Sequence, residues 1–146
     1  MVIYRNIFPL FLLVSLSIHS QKIDSTYVAN ADFEARDLRY EGKFEQAYKM
    51  TNDLLVKLKK YNASSKYFAL TYYTKSRIEL DLGKYDLAYN SSQKALKIYL
   101  ERSDSTGLAQ IYNVIGVYHY FENNLDSTLL YYEKSYDLKK RLDFNN

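Results

Sequence analysis

The chain has 146 residues, a formal net charge of +3 and no cysteine. The lack of cysteine excludes a disulfide scaffold and a thiolate metal site, and the modest charge, with lysines scattered among acidic residues, does not indicate nucleic-acid binding. Only four glycines and one proline interrupt a chain that is 47% apolar and 25% charged, so the composition favours an all-α protein.

The first predicted element is a signal peptide at residues 1–20. Arg5 supplies a positive charge, an apolar stretch over residues 7–18 follows, and the chain becomes polar at Gln21. This stretch is too short to cross a bilayer of ~30 Å as a helix, whereas a basic start and a short apolar core are typical of secretory signals. We expect cleavage after Ser20 and an exported protein, periplasmic or secreted. The alternatives are an uncleaved membrane anchor and a buried core helix.

A short phrase then occurs three times, after a polar lead-in at residues 21–27. The phrases begin at Gly42, Gly83 and Asn123, 41 and then 40 residues apart, and each separates two segments with helical periodicity. Repetition at such a period indicates stacked helix pairs. We therefore predict an all-α fold, a right-handed α-solenoid of antiparallel helix pairs over residues 28–146.

Each unit of the solenoid is predicted to contain a helix A, a tight turn and a helix B. The three units cover residues 28–66, 67–107 and 108–146. Their predicted helix pairs are 27–40 with 45–61, 67–82 with 86–101, and 108–122 with 126–142. Glycine or asparagine in the turn ends helix A in the left-handed region. Ser105 or Thr106 is predicted to cap the last helix A.

Small residues follow each turn at Ala47, Ala88 and Thr128, where bulk would push crossing helices apart. Units 2 and 3 share further aromatic and small positions, which are Tyr72, Ser76, Tyr85 and Ala95 in unit 2 and Tyr112, Gly116, Leu125 and Ser135 in unit 3. With these positions the chain resembles the tetratricopeptide repeat family, and unit 1 matches more loosely. The chain departs from the family in its period of about 40 instead of ~34 residues. It also departs at Lys75 and Glu79, where the family prefers leucine and an aromatic residue.

The resemblance implies a non-catalytic module that binds a protein or peptide in a concave groove lined by the A helices. The residues predicted to face this groove are Phe33, Arg36, Tyr40, Tyr73, Arg77, Asp81, Asn113, Val117 and Tyr120. Arginine, tyrosine and asparagine can pair with carboxylates and backbone amides while stacking on a ligand. The family's carboxylate clamp needs lysine and asparagine at set positions that this chain does not match. Capture of a C-terminal carboxylate is therefore not expected.

No pattern in the sequence predicts catalysis. His119 is the one histidine after the predicted signal peptide, and it lies on an apolar helix stripe, where a packing role is usual. No second metal ligand, phosphate-binding loop or nucleophile motif accompanies it. We predict that the protein is not an enzyme and has no cofactor and no metal site. We also predict no nucleic-acid partner and no membrane span after Gln21.

The last predicted helix is apolar nearly all round. Leu129, Tyr132 and Tyr136 share one of its faces, whereas terminal solenoid units normally carry a polar outer face. Two explanations follow: the sequence is a fragment, incomplete at its C-terminus, or self-association or another partner covers this face. The fragment hypothesis leads to an alternative function. Exported units of this length resemble the periplasmic sensor regions of histidine kinases and membrane-anchored transcription regulators.

Overall fold

The structure of the protein is a computed structural model that describes residues 23–144, and the predicted signal peptide lies outside these residues. Every regular element in the described part is helical. The six helices are α1 Ser25–Tyr40, α2 Phe44–Lys60, α3 Ser65–Asp81, α4 Tyr85–Glu101, α5 Ser105–Phe121 and α6 Leu125–Phe144. The all-α prediction is therefore confirmed.

The turns between paired helices have the backbone geometry that the repeated phrase predicts. Gly42, Gly83 and Asn123 have φ angles of 76°, 68° and 55°, in the left-handed region. Glycine enters this region without a Cβ clash, and asparagine is the usual substitute. The connections between units also contain a residue in the left-handed region, since Asn62 and Ser103 have φ angles of 47° and 52°.

The start of α5 is the boundary that differs most from the sequence prediction. The helix begins at Ser105 because Asp104 is its N-cap, and the Asp104 Oδ1 accepts a hydrogen bond of 2.8 Å from the Gly107 amide. The prediction of Ser105 or Thr106 as the cap is wrong. Aspartate is as good an N-cap as serine, and its charge also suits the positive end of the helix dipole.

The helices form two layers. Helices α1, α3 and α5, the A helices, contact one another in sequence, so they form one layer. Helix α2 packs against α1 and α3, and α4 packs against α3 and α5. Helix α6 packs on α5, and within the described residues the three B helices do not contact one another. This arrangement leaves one long face made only by A helices.

Small residues allow the two layers to approach closely. Ala47 and Ala88 are fully buried and Thr128 is 7% exposed, as expected for the positions where helices cross. The largest apolar cluster lies between units 2 and 3, and its buried members are Ala69, Ala95, Tyr99, Ile111, Val114 and Ile115. Within residues 23–144, no helix combines the length and the apolar character needed to cross a membrane.

Candidate partner-binding groove

A depression of about 610 Å³ crosses the A-helix layer near the C-terminal ends of α1, α3 and α5. We call it the A-helix groove. Its lining residues are Arg39, Arg77, Leu80, Asp81, Leu82, Gly83, Tyr85, Asn113, Val114, Val117 and Phe121. Four residues predicted from the sequence are among them, namely Arg77, Asp81, Asn113 and Val117.

Arg77 occupies the α3 wall of the groove and is half-buried. Its Nη1 donates a hydrogen bond of 3.1 Å to the Tyr73 hydroxyl, and the Tyr40 hydroxyl also lies near enough to favour the charge of the guanidinium. Burial opposes the charge, but these two hydroxyl groups outweigh it, so the pKa of Arg77 is raised. The sequence prediction thus placed Tyr40, Tyr73 and Arg77 on one surface, and the structure brings Tyr73 into contact with Arg77, with Tyr40 nearby.

Two neighbouring arginines are already paired with carboxylates. The Arg36 Nε lies 3.1 Å from Asp32 Oδ2, and the Arg39 Nη2 donates a hydrogen bond of 3.2 Å to Asp81 Oδ1. The Arg39 Nε also contacts the second carboxylate oxygen of Asp81, although only the Nη2 contact has the geometry of a hydrogen bond. Arg77 differs from both arginines, because no carboxylate within residues 23–144 forms an ion pair with it. Within the described residues, the A-helix groove therefore contains an arginine whose side-chain hydrogen bond goes to a neutral hydroxyl group, although the charge of Asp32 also acts on it.

Asp32 of α1, the buried partner of Arg36, was not predicted from the sequence. It is 3% exposed, and its Oδ1 accepts a hydrogen bond from the Thr74 hydroxyl of the next unit. Burial raises its pKa, although Thr74, Arg36 and Arg77 act in the opposite direction. The repeat period could have identified Asp32, because it lies 41 residues before Tyr73, which was predicted to face the groove. The predicted residue was its neighbour Phe33, which is 63% exposed and does not line the A-helix groove.

An aromatic pair forms the opposite end of the A-helix groove. Tyr85 of α4 stacks on Phe121 of α5, with ring centroids 4.9 Å apart and an interplanar angle of 22°. The sequence prediction named Tyr120, which is 58% exposed and meets the edge of Phe121 at 5.9 Å. The repeat period also identifies Phe121, because it lies 40 residues after Asp81, which was predicted to face the groove.

His119 lies outside the A-helix groove and is packed among aromatic rings. Its ring stacks on Tyr131 at 5.4 Å and meets the edge of Tyr118 at 5.1 Å. In the part of the chain that the structure describes, no group of three histidine, cysteine or acidic side chains is arranged to hold a metal ion. The groove itself offers a cation, an amide and an aromatic surface, which are groups that recognise ligands.

These features define the class of protein: it is a helical repeat protein in which stacked antiparallel helix pairs present a groove on their A helices. A family model described as tetratricopeptide repeat matches residues 67–141, just over half of the chain, and the chain belongs to that family. Repeats of this family generally mediate protein–protein interaction. Comparison with curated proteins and with solved structures found no match in either set. The helix pair α1–α2, which precedes the matched residues, has the same turn geometry.

Proposed function

We propose that the A-helix groove binds a segment of a partner protein that carries an acidic side chain next to an aromatic or apolar one. The protein acts as an interaction module without a catalytic role. The observation that carries this proposal is the state of Arg77, a half-buried cation that lines the groove and has no carboxylate in an ion pair with it within the described residues.

A carboxylate of the partner is the group that suits Arg77 best. Hydrogen bonds to charged groups contribute about 1.5–3 kcal/mol, more than neutral ones, and arginine binds carboxylates through two parallel donors. The Tyr73 hydroxyl holds the guanidinium in place, so less side-chain freedom is lost when a ligand binds. Held, partly desolvated arginines are also frequent among the residues that dominate interface energetics.

The A-helix groove changes character from α3 to α5, and this change sets the order of groups in the ligand. At equivalent positions the A helices carry Arg36, Arg77 and Val117, so the charge is lost at α5. The stacked Tyr85–Phe121 pair adds apolar surface at the same end. An acidic residue therefore binds at α3, and an apolar or aromatic residue follows it toward α5. A volume of about 610 Å³ suits a few side chains of a peptide.

The test uses synthetic peptides with aspartate or glutamate beside phenylalanine or tyrosine, and matched peptides with asparagine or glutamine. We expect the acidic peptides to bind the purified protein, more weakly at high salt. Arg77→Gln should weaken this binding roughly tenfold or more, the loss of one charged hydrogen bond, and Arg77→Lys should weaken it less. Lys97→Gln is the matched control, because Lys97 is an exposed cation on α4 whose Nζ lies 4.0 Å from Glu101.

Two sources of the carboxylate are separated in the same experiment. Peptides with an amidated C-terminus should bind as well as those with a free C-terminus, because the recognised group is a side chain. Binding only by free C-termini would assign Arg77 to a terminal carboxylate instead. Equal binding by acidic and amide peptides, or unchanged binding after Arg77→Gln, would contradict the proposed site.

The proposal includes export, which is supported by the pattern of residues 1–20 and not by any described residue. The mature protein then begins at Gln21 and meets its partner outside the cytoplasm. The measurement is the intact mass of the native protein in fractionated source cells. An unprocessed chain in the cytoplasm would contradict export and leave the groove proposal as it stands.

A further inference from the structure

Helix α6 carries a stripe of large, exposed apolar side chains, of which Tyr132 also packs one part of its ring against Gly116 of α5. Leu125, Leu129, Tyr132 and Tyr136 form it, with exposed fractions of 66%, 60%, 36% and 64%. Their spacing of four, three and four residues aligns them along one side of the helix, and we call this set the α6 stripe. An aligned row of large exposed side chains is a feature of protein contact surfaces.

The α6 stripe differs from the corresponding face of α4, which packs against α5, the A helix of the next unit. Its Tyr132 corresponds to Ser92 of α4, which is fully buried within the repeat packing. Lys139, next along the stripe, corresponds to Tyr99, which is 4% exposed and packs against Gly107 of α5. Burying Lys139 under another apolar helix would remove an ammonium from water at a large cost. The α6 stripe therefore fits a partner that brings acidic groups to its rim.

The charges along α6 are complementary to those of a second α6 helix that runs in the opposite direction. Asp126 lies at its N-terminal end, and Lys139 and Lys140 lie near its C-terminal end. In an antiparallel pair of α6 helices, Asp126 of each copy lies beside Lys140 of the other, and the two helix dipoles oppose each other favourably. A parallel pair places like charges together at both ends. The stripe is thus complementary to itself in one orientation.

We propose that two copies of the chain associate through the α6 stripe, with the two α6 helices antiparallel about a two-fold axis near Tyr132. Leu129 of each copy then packs against Tyr136 of the other. Leu125 of each copy enters the open depression of about 520 Å³ that Tyr136, Lys139, Lys140 and Asp143 line on its partner. The contact runs about 22 Å along each helix, from residue 125 to residue 140, and is isologous.

One group opposes this pairing and provides a directed test. Glu133 flanks the stripe beside the proposed axis, so the two copies bring their Glu133 side chains close together. Like charges in that position weaken association, and they do so most at low salt. Glu133→Gln should therefore strengthen the dimer, a result that no purely structural role of this exposed residue predicts.

The experiment measures the mass of the purified protein by sedimentation equilibrium over a range of concentrations. The wild type should pass from monomer to dimer as the concentration rises. Leu129→Glu should raise the dissociation constant at least about tenfold, as expected for a central contact residue. Val56→Glu is the matched control and should leave the dimer unchanged, because Val56 is 68% exposed on α2, outside the α6 stripe and the A-helix groove.

A charge exchange tests the antiparallel orientation. Asp126→Lys and Lys140→Glu should each weaken the dimer, and the double variant should restore it. Circular dichroism of every variant shows whether the helices are retained, so that loss of folding is not read as loss of association. A wild type that remains monomeric, a Leu129→Glu variant that still dimerises, or a double variant without recovery would overturn the proposal.

Discussion

Replacing Gly107 by alanine should destabilise the protein, although alanine is ordinarily the better residue inside a helix. A Cβ at position 107 would lie 2.2 Å from Cδ1, 2.3 Å from Cε1 and 2.7 Å from Cγ of Tyr99. Carbon atoms in favourable contact are about 3.5–4.0 Å apart, so three ring atoms would overlap the new methyl group. Tyr99 is 4% exposed, so its ring cannot move into solvent without opening the packing between α4 and α5.

The magnitude follows from two opposing terms. Overpacking a tightly packed site costs about 1–3 kcal/mol, and exchanging glycine for alanine inside a helix recovers roughly 0.5–1 kcal/mol. Gly107 lies in the first turn of α5, where its amide already bonds Asp104, so the helical gain is at the low end. We expect Gly107→Ala to lower the free energy of unfolding by about 1–2 kcal/mol.

The equivalent contact between units 1 and 2 shows how this clash can be relieved. There the A helix carries Tyr67 and the preceding B helix carries Leu58, so the large ring lies on the other side of the interface. Tyr99→Leu should therefore make room for a methyl group at position 107. Urea denaturation of both single variants and the double variant gives a double-mutant cycle. Gly107→Ala should be neutral or stabilising when leucine occupies position 99. An equal penalty in both backgrounds, or none in the wild type, would refute the steric argument.

Three further predictions concern polar side chains that are buried or that cap a helix. Lys75 and Glu79 form an ion pair of 2.7 Å in which Glu79 is 1% exposed, so Lys75→Leu should cost about 3–5 kcal/mol, and adding Glu79→Leu should recover most of this in the same urea titration. Asp104→Ala should cost about 1 kcal/mol through the lost N-cap, while Asp104→Ser should be nearly neutral. Burial raises the pKa of Asp32 above 3.8, so its contribution to stability is greatest below pH 3.8 and is lost as the pH rises through the folded-state pKa. Acidification from neutral pH should therefore stabilise the wild type relative to Asp32→Asn, and a difference that moves the other way would contradict a raised pKa.

The scaffold could be predicted from the sequence because its requirements are local and repeat with the period. Gly42 and Gly83 are needed for a left-handed turn, and Ala47 and Ala88 for close helix crossing. Each requirement restricts the residue type at one position, and the restriction returns one period later. Helix starts are less constrained. Asp104, with Ser105 and Thr106 beside it, offered three adjacent residues that cap helices well, and geometry decided among them.

The interior charges show a second limit of sequence reasoning. Lys75 and Glu79 were recognised as departures from the family pattern, but not as partners of each other. Their spacing of four residues on one helix was a signal for pairing. The structure adds Tyr48 of α2, whose ring centroid lies 3.8 Å from the Lys75 ammonium. That contact joins two units, and no rule for a single helix predicts it.

The A-helix groove depends on contacts between units. For this reason four of its lining residues could be predicted from the sequence, but the pairing of its charged side chains could not. The A-helix positions repeat, so the surface that carries Arg77 could be identified from the period. The state of each charge could not, because Arg39 in unit 1 pairs with Asp81 in unit 2 across 42 residues of sequence. At the position equivalent to Arg39, unit 2 carries Leu80, so the pairing cannot repeat in the next unit. The side-chain groups along the A helices therefore differ from unit to unit, although the backbone beneath them is nearly the same. Repetition builds the surface, and the breaks in repetition, at Val117 after Arg77 and at Phe121 after Asp81, change its chemistry from unit to unit.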